Sequence, residues 1–218
     1  MATGQPSVRW SGLYHRPGER ELFHGWSAEA PPGVTWLGGD EGTGKTTLLR
    51  LLAGEIAPDA GSVAFNLVPP EFDRTEPPPV FWVDPRTSRH DDLTAREALA
   101  QVLAPFQVGA AAELQRLWLA LDLAPHLDKA LYMLSAGSRR KVWLLAALAS
   151  GAPVVLLDQP FAALDLASER ALRAELQGIA TRADRVVIVA DYTPPPGVPL
   201  AARLDLDPLA DLVNRAHP

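Results

Sequence analysis

Short runs of β-branched and aromatic residues recur along the chain: Val34–Leu37, Val63–Phe65, Val80–Val83, Val154–Leu157 and Val186–Ala190. They are nearly all apolar rather than alternating, the pattern of strands buried on both faces. Helical spacing fills some of the intervals. Lys45–Ala53 is closed by Gly54, and Ser168–Ala180 opens on Ser168, a residue type suited to an N-cap. Alternating strand and helix predicts an α/β unit with a mostly parallel sheet. The stretch from about 85 to 149 departs from this. Thr94–Leu103, Ala110–Leu121 and Arg139–Ala149 are helical by spacing and alanine content, with no strand run between them. The expectation is one domain over residues 1–218: a core of 1–84 and 150–218, with a helical lobe inserted between its halves. Proline clusters at EAPPG, VPPEF, EPPPV and YTPPPGVP predict loops, because proline fixes φ and removes a donor. After the last cluster, Arg203–Leu206 reads as a final edge strand, and no room remains for an added regulatory domain.

Composition narrows the classes. A length of 218 residues suits one sizeable domain. The net charge of −6 argues against a nucleic-acid partner, which needs a basic face. The chain has no cysteine, which excludes disulfides, thiolate metal sites and a cysteine nucleophile and fits a cytoplasmic location. The N-terminus lacks the apolar core of a signal peptide. The longest apolar run, VWLLAALASGAPVVLL, is interrupted by Gly151 and Pro153. No direct membrane insertion is expected, so a membrane would be reached through another protein. The histidines, at 15, 24, 90, 126 and 217, show no metal-ligand spacing.

The sharpest motif follows the first buried run. Gly39-Asp40-Glu41-Gly42-Thr43-Gly44-Lys45-Thr46 fits the phosphate-loop pattern G-x-x-x-x-G-K-[ST], with Thr47 next and a helix beyond. The glycines let backbone N–H groups turn toward phosphate oxygens. Lys45 is placed to reach the β- and γ-phosphates, and the Thr46 hydroxyl to meet Mg²⁺. The helix adds its positive end. Carboxylates repel phosphate, so Asp40 and Glu41 are expected to point to solvent.

Further motifs stand in a telling order. Asp92-Leu93-Thr94-Ala95-Arg96-Glu97 precedes Leu134-Ser135-Ala136-Gly137-Ser138, which precedes VVLLDQP and then Phe161-Ala162-Ala163-Leu164-Asp165. Together with the phosphate loop these resemble the ABC-type ATPases: the segment opening the helical lobe, the LSGGQ-like signature, the Walker B strand and the D-loop. The Ser-Ala-Gly and Pro-Phe-Ala-Ala-Leu-Asp variants resemble the small cassettes of the haem-exporter type. The resemblance implies a P-loop NTPase core with an antiparallel N-terminal β portion. It also implies ATP and Mg²⁺ as ligands, a second cassette packed head to tail, and a transmembrane permease subunit docked on the helical lobe near Arg86–Thr94. Asp158 would hold Mg²⁺. Ser135 and the Gly137 N–H would touch the terminal phosphate of the nucleotide bound to the partner. Tyr14 stands where the family places an adenine-stacking aromatic. Its other reading is a core or strand-edge tyrosine.

At three positions the chain departs from the family pattern. Where the family has a glutamine that touches Mg²⁺ and water, Asp84 stands. Where it has a glutamate that polarises the attacking water, Gln159 stands. Where it has a histidine that donates to the γ-phosphate, Asp191 stands. Gln159 cannot accept a proton, though it can orient water. Losing a general base costs about 10²–10⁴-fold. The resemblance therefore implies an ATP-binding transporter subunit with weak or partner-dependent hydrolysis. A variant of that reading makes Asp191 the base and Gln159 the orienting group. The alternative is an ATP-responsive module of the same fold with no transport role.

Overall fold

The computed structural model describes residues 6–66, 80–106 and 111–207. In chain order the elements are β1 (Ser7–His15), β2 (Phe23–Ala30), β3 (Gly33–Gly38), α1 (Lys45–Leu52), β4 (Ala60–Asn66), β5 (Val80–Phe81), α2 (Ala95–Leu103), α3 (Ala111–Ala120), α4 (Ala136–Ala149), β6 (Val154–Asp158), α5 (Leu166–Arg182), β7 (Val186–Ala190) and β8 (Ala202–Asp205). The expected loops at 68–72 and 76–79 lie outside the described residues.

Five strands form a parallel sheet in the order β5-β6-β7-β3-β8. Every residue of β6 and β7 is buried, as their unbroken apolar runs require. β8 is the edge strand expected at Arg203–Leu206, alternating half-buried and exposed. A second, antiparallel sheet has the order β2-β1-β4. Val63–Phe65 belongs to this sheet, which corrects its reading as a doubly buried strand: along β4 half-buried residues alternate with exposed ones. Val80–Val83 is also shortened, because only Val80 and Phe81 pair with β6.

The helices carry local reasons for their ends. Thr94 caps α2 in a reciprocal capping box with Glu97. Asp165, not Ser168, caps α5. Its carboxylate accepts the Ser168 N–H at 2.9 Å, and Ser168 itself is buried three residues inside. Ser135 caps α4, so that helix begins before Arg139.

One apolar cluster joins Val155, Leu157, Val187 and Val189 of the sheet to Leu99 and Leu103 of α2, Leu117 of α3 and Val142–Ala149 of α4. The lobe therefore shares a core with the sheet, and α4 connects them. On the other face, Leu48, Leu49 and Leu52 of α1 pack with Leu156, Ile188, Trp10 and Phe23. That cluster holds the antiparallel sheet against the phosphate loop. The carboxyl ends of β3, β5 and β6 then open on one crevice, where ligands of open parallel sheets bind.

Candidate nucleotide-binding site

A cleft of about 780 Å³ lies at those strand ends. Gly42, Gly44, Lys45, Thr46, Thr47 and Glu41 line it from the phosphate loop, and Asp84, Asp158 and Gln159 from the ends of the neighbouring strands. This volume is in the range of small-molecule sites. The walls are basic although the whole chain is acidic. Arg20, Lys45, Arg50, Arg86 and Arg140 face Glu41, Asp84 and Asp158. Arg50 is engaged by Glu55 at 3.0 Å, and the remaining cations still favour a polyanion.

Gly44 explains the turn into α1. It sits at φ 104, a left-handed conformation that penalises any Cβ, and a Cβ there would press on the Phe23 ring at 3.1 Å. Lys45 follows immediately and is 6% exposed. Its Nζ donates to the carbonyls of Gly39 and Asp40, the latter at 2.7 Å, and lies 4.5 Å from the centre of the Tyr192 ring. Burial pulls its pKa down, and Asp158, Asp207, Asp191 and Asp40 pull it back up. Asp40 and Glu41 are exposed, and the Asp40 N–H is taken by the Asp207 carboxylate at 2.7 Å. Thr43 closes the loop from within, its hydroxyl donating to the Asp40 carbonyl at 2.9 Å.

Thr46 and Asp158 form the metal-competent pair. The Thr46 hydroxyl donates to Asp158 Oδ2 at 2.6 Å. The Asp158 side chain is 2% exposed, and its Oδ1 is a buried acceptor with no hydrogen-bond partner. An orphaned carboxylate oxygen beside a hydroxyl suits a hard cation such as Mg²⁺. Burial raises the Asp158 pKa above the ordinary carboxylate range, partly offset by the Thr46 hydrogen bond and by Arg86. Asp84 lines the same cleft, and its Oδ1 accepts the Arg86 N–H at 2.9 Å.

Gln159 follows Asp158 in a left-handed conformation at φ 45. Its N–H donates to the Ala190 carbonyl at 2.8 Å, and its own carbonyl accepts from Arg140. The backbone is thus fixed, and the residue lines the cleft. Asp191 is treated differently. Its N–H bonds the Leu37 carbonyl, its carbonyl accepts from Trp36, and its Oδ1 accepts the Tyr192 N–H at 2.8 Å. That oxygen is held by its own chain, burial raises the carboxyl pKa, and the charge of Lys45 works against that rise. Tyr192, not Asp191, lines the cleft.

Tyr14 is not brought into the cleft. Its ring meets His24 edge-on with centroids 5.5 Å apart. Pro17 and Arg20 of the β1–β2 connection line the wall beside the phosphate loop. Ser135 and Gly137 also lie outside the cleft. Ser135 accepts the Ser138 N–H at 3.1 Å, as an N-cap does. A Cβ on Gly137 would overlap the Ala163 carbonyl, so the signature turn and the D-loop are in close contact.

Several residues of the site escaped sequence reasoning. Arg86, expected near a permease-docking surface, approaches Thr46 and Asp158. The basic trio Arg139-Arg140-Lys141 is divided among three tasks. Arg139 holds Asp91 and the Thr87 carbonyl, Arg140 enters the cleft, and Lys141 is buried against Asp165 at 2.5 Å. Arg86 and Tyr192 each lie within two residues of the point where a core run ends in an acid, a position that faces the crevice of a parallel sheet.

Known proteins resemble the chain throughout this frame. The family model described as ABC transporter matches residues 25–162. The protein named Cytochrome c biogenesis ATP-binding export protein CcmA from Pseudomonas savastanoi pv. phaseolicola is 31% identical over 195 residues, covering 88% of this chain and 92% of that protein. Its namesake from Hyphomonas neptunium is 32% identical over 202 residues, covering 92% and 97%. Among solved structures, a Pyrococcus furiosus protein described as an ABC transporter ATP-binding protein superposes with a TM-score of 0.72 at 20% identity, covering 92% of this chain and 97% of that one. The ATP-binding cassette MJ0796, solved as a dimer with ADP and Pi, does so with a TM-score of 0.67 at 18% identity, covering 85% and 88%. At these identities the structural likenesses speak to fold.

Proposed function

The chain belongs to the ABC transporter family as an ATP-binding subunit, and from that premise we propose that it binds ATP·Mg²⁺ in the cleft with weak or partner-dependent hydrolysis. Gln159 carries this reading. It lines the cleft directly after Asp158, with its backbone held at both ends. An amide there can orient a water molecule but takes no proton from it. The reading of Asp191 as the base is the weaker one, because Gln159 lines the cleft and Asp191 does not, and one Asp191 oxygen is held by the Tyr192 N–H.

Lys45 and the loop amides bind the β- and γ-phosphates, Thr46 and Asp158 hold Mg²⁺, and Asp84 stands near enough to add a carboxylate. When bound, Mg²⁺ neutralises charge on the transferring phosphoryl group. Ser135 and Gly137 lie on a different surface from this cleft, which suits the completion of a second cassette's site across a head-to-tail dimer. Among the described residues no helix is long and apolar enough to cross a membrane. Contact with a membrane then runs through a permease subunit. The relatives' names point to export linked to cytochrome c biogenesis as the transport role.

The deciding experiment is Mg²⁺-dependent ATP turnover by the purified chain beside Gln159→Glu. Restoring a base is expected to raise turnover by about 10²-fold or more. A wild-type chain that already turns over as fast as the variant refutes the slow-site reading.

A further inference from the structure

Arg86 occupies a position that no motif assigns. Its guanidinium Nη2 lies 3.4 Å from Thr46 Oγ1 and 3.7 Å from Asp158 Oδ2, the two oxygens expected to receive Mg²⁺. The side chain is 69% exposed, yet its backbone is built to aim it. Asp84 Oδ1 takes the Arg86 N–H at 2.9 Å, the Thr87 N–H bonds the Asp84 carbonyl at 3.0 Å, and Arg139 holds the Thr87 carbonyl. Pro85 restricts the turn further. Across the cleft, Arg140 donates to the carbonyl of Gln159.

We propose that Arg86 is the terminal-phosphate ligand of this cleft, serving where Asp191 offers no cation. The proposal rests on the ATP-binding reading above. Mg²⁺ and the guanidinium cannot share the Thr46–Asp158 pair, since like charges at such a distance repel. With Mg²⁺ held by that pair Arg86 would leave it, and its anchored backbone keeps it at the rim. At the rim the guanidinium can take up the γ-phosphate, whose oxygens match its planar bidentate fork. ADP has no such group, so the contribution is selective.

Calorimetric titration with MgATP and MgADP tests this for wild type, Arg86→Ala and Arg86→Lys. The exposed side chain makes a folding defect the lesser concern, and circular dichroism checks it. Arg86→Ala is expected to weaken MgATP binding about tenfold, near the low end for a charge-assisted hydrogen bond, and to leave MgADP within about twofold. Arg86→Lys is expected to recover part of the loss. Equal weakening of both nucleotides, or of neither, overturns the proposal and leaves the ATP-binding reading intact. A wild-type chain that binds neither nucleotide overturns both.

Discussion

Asp158→Asn separates what the carboxylate does for folding from what it does for ligand. The side chain is 2% exposed and carries one oxygen without a partner. The substitution keeps its shape, removes the charge and leaves an acceptor for the Thr46 hydroxyl. An amide nitrogen takes the place of the orphan oxygen, so the gain is the desolvation cost of the lost buried charge, worth about 1 kcal/mol. For a chain of this size that raises the nucleotide-free melting temperature by about 2–4 °C. With MgATP the order reverses. At a hundredfold excess over Kd, wild type gains about 2.7 kcal/mol, whereas the variant has lost a metal ligand and gains less. Burial raises the carboxyl pKa, so the folded chain holds its proton longer than the unfolded one does. Nucleotide-free stability therefore falls as pH climbs from the ordinary aspartate range through the raised value, and Asp158→Asn removes that contribution. Thermal unfolding with and without MgATP, with EDTA, and without nucleotide across a pH series reads all three effects. A variant less stable than wild type without nucleotide, or one keeping the full Mg²⁺-dependent gain, refutes the assignment.

The contact of signature turn and D-loop gives two more expectations. Gly137→Ala should destabilise by about 1–3 kcal/mol, because its Cβ meets the Ala163 carbonyl; a thermal melt showing stabilisation would mean that helix propensity outweighs the clash. Asp165→Ala should cost about 2 kcal/mol in denaturant unfolding, by removing the α5 cap and leaving Lys141 unpaired. Lys141, and then the Ser168 N–H, hold the Asp165 carboxyl well below the usual range. Its contribution is thus present at neutral pH and lost as pH falls below about 4, so an acid titration of Asp165→Asn should show a flatter acid limb than wild type.

The phosphate loop was legible because its chemistry is local. Gly44 must take positive φ, Lys45 must follow it, and strand and helix must flank them, all within a few residues of one another. The buried runs of β6 and β7 were legible for a similar reason, since a strand covered on both faces has no polar side to show. Tyr14 was harder to read. Two residues separate it from Pro17, and the β1–β2 connection decides which of them reaches the nucleotide wall. β4 misled because a short apolar run does not reveal which sheet it joins.

By itself the sequence determined the α/β alternation, the phosphate loop, the acid at the end of β6 and the amide that follows it, since each is set by residue type and near-neighbour spacing. Only the tertiary structure decided where the lone charges go. Arg86 and Arg140 are polar residues in unremarkable surroundings along the chain, and the position of Asp191 there does not say what its carboxyl meets. Their roles depend on packing between distant segments: β5 beside β6 brings Arg86 to Thr46, α4 against β6 brings Arg140 to Gln159, and β7 beside β3 brings Asp191 and Tyr192 toward Lys45. Electrostatic interaction depends on distance through space and on burial, and the order of residues in the chain specifies neither until the core has formed.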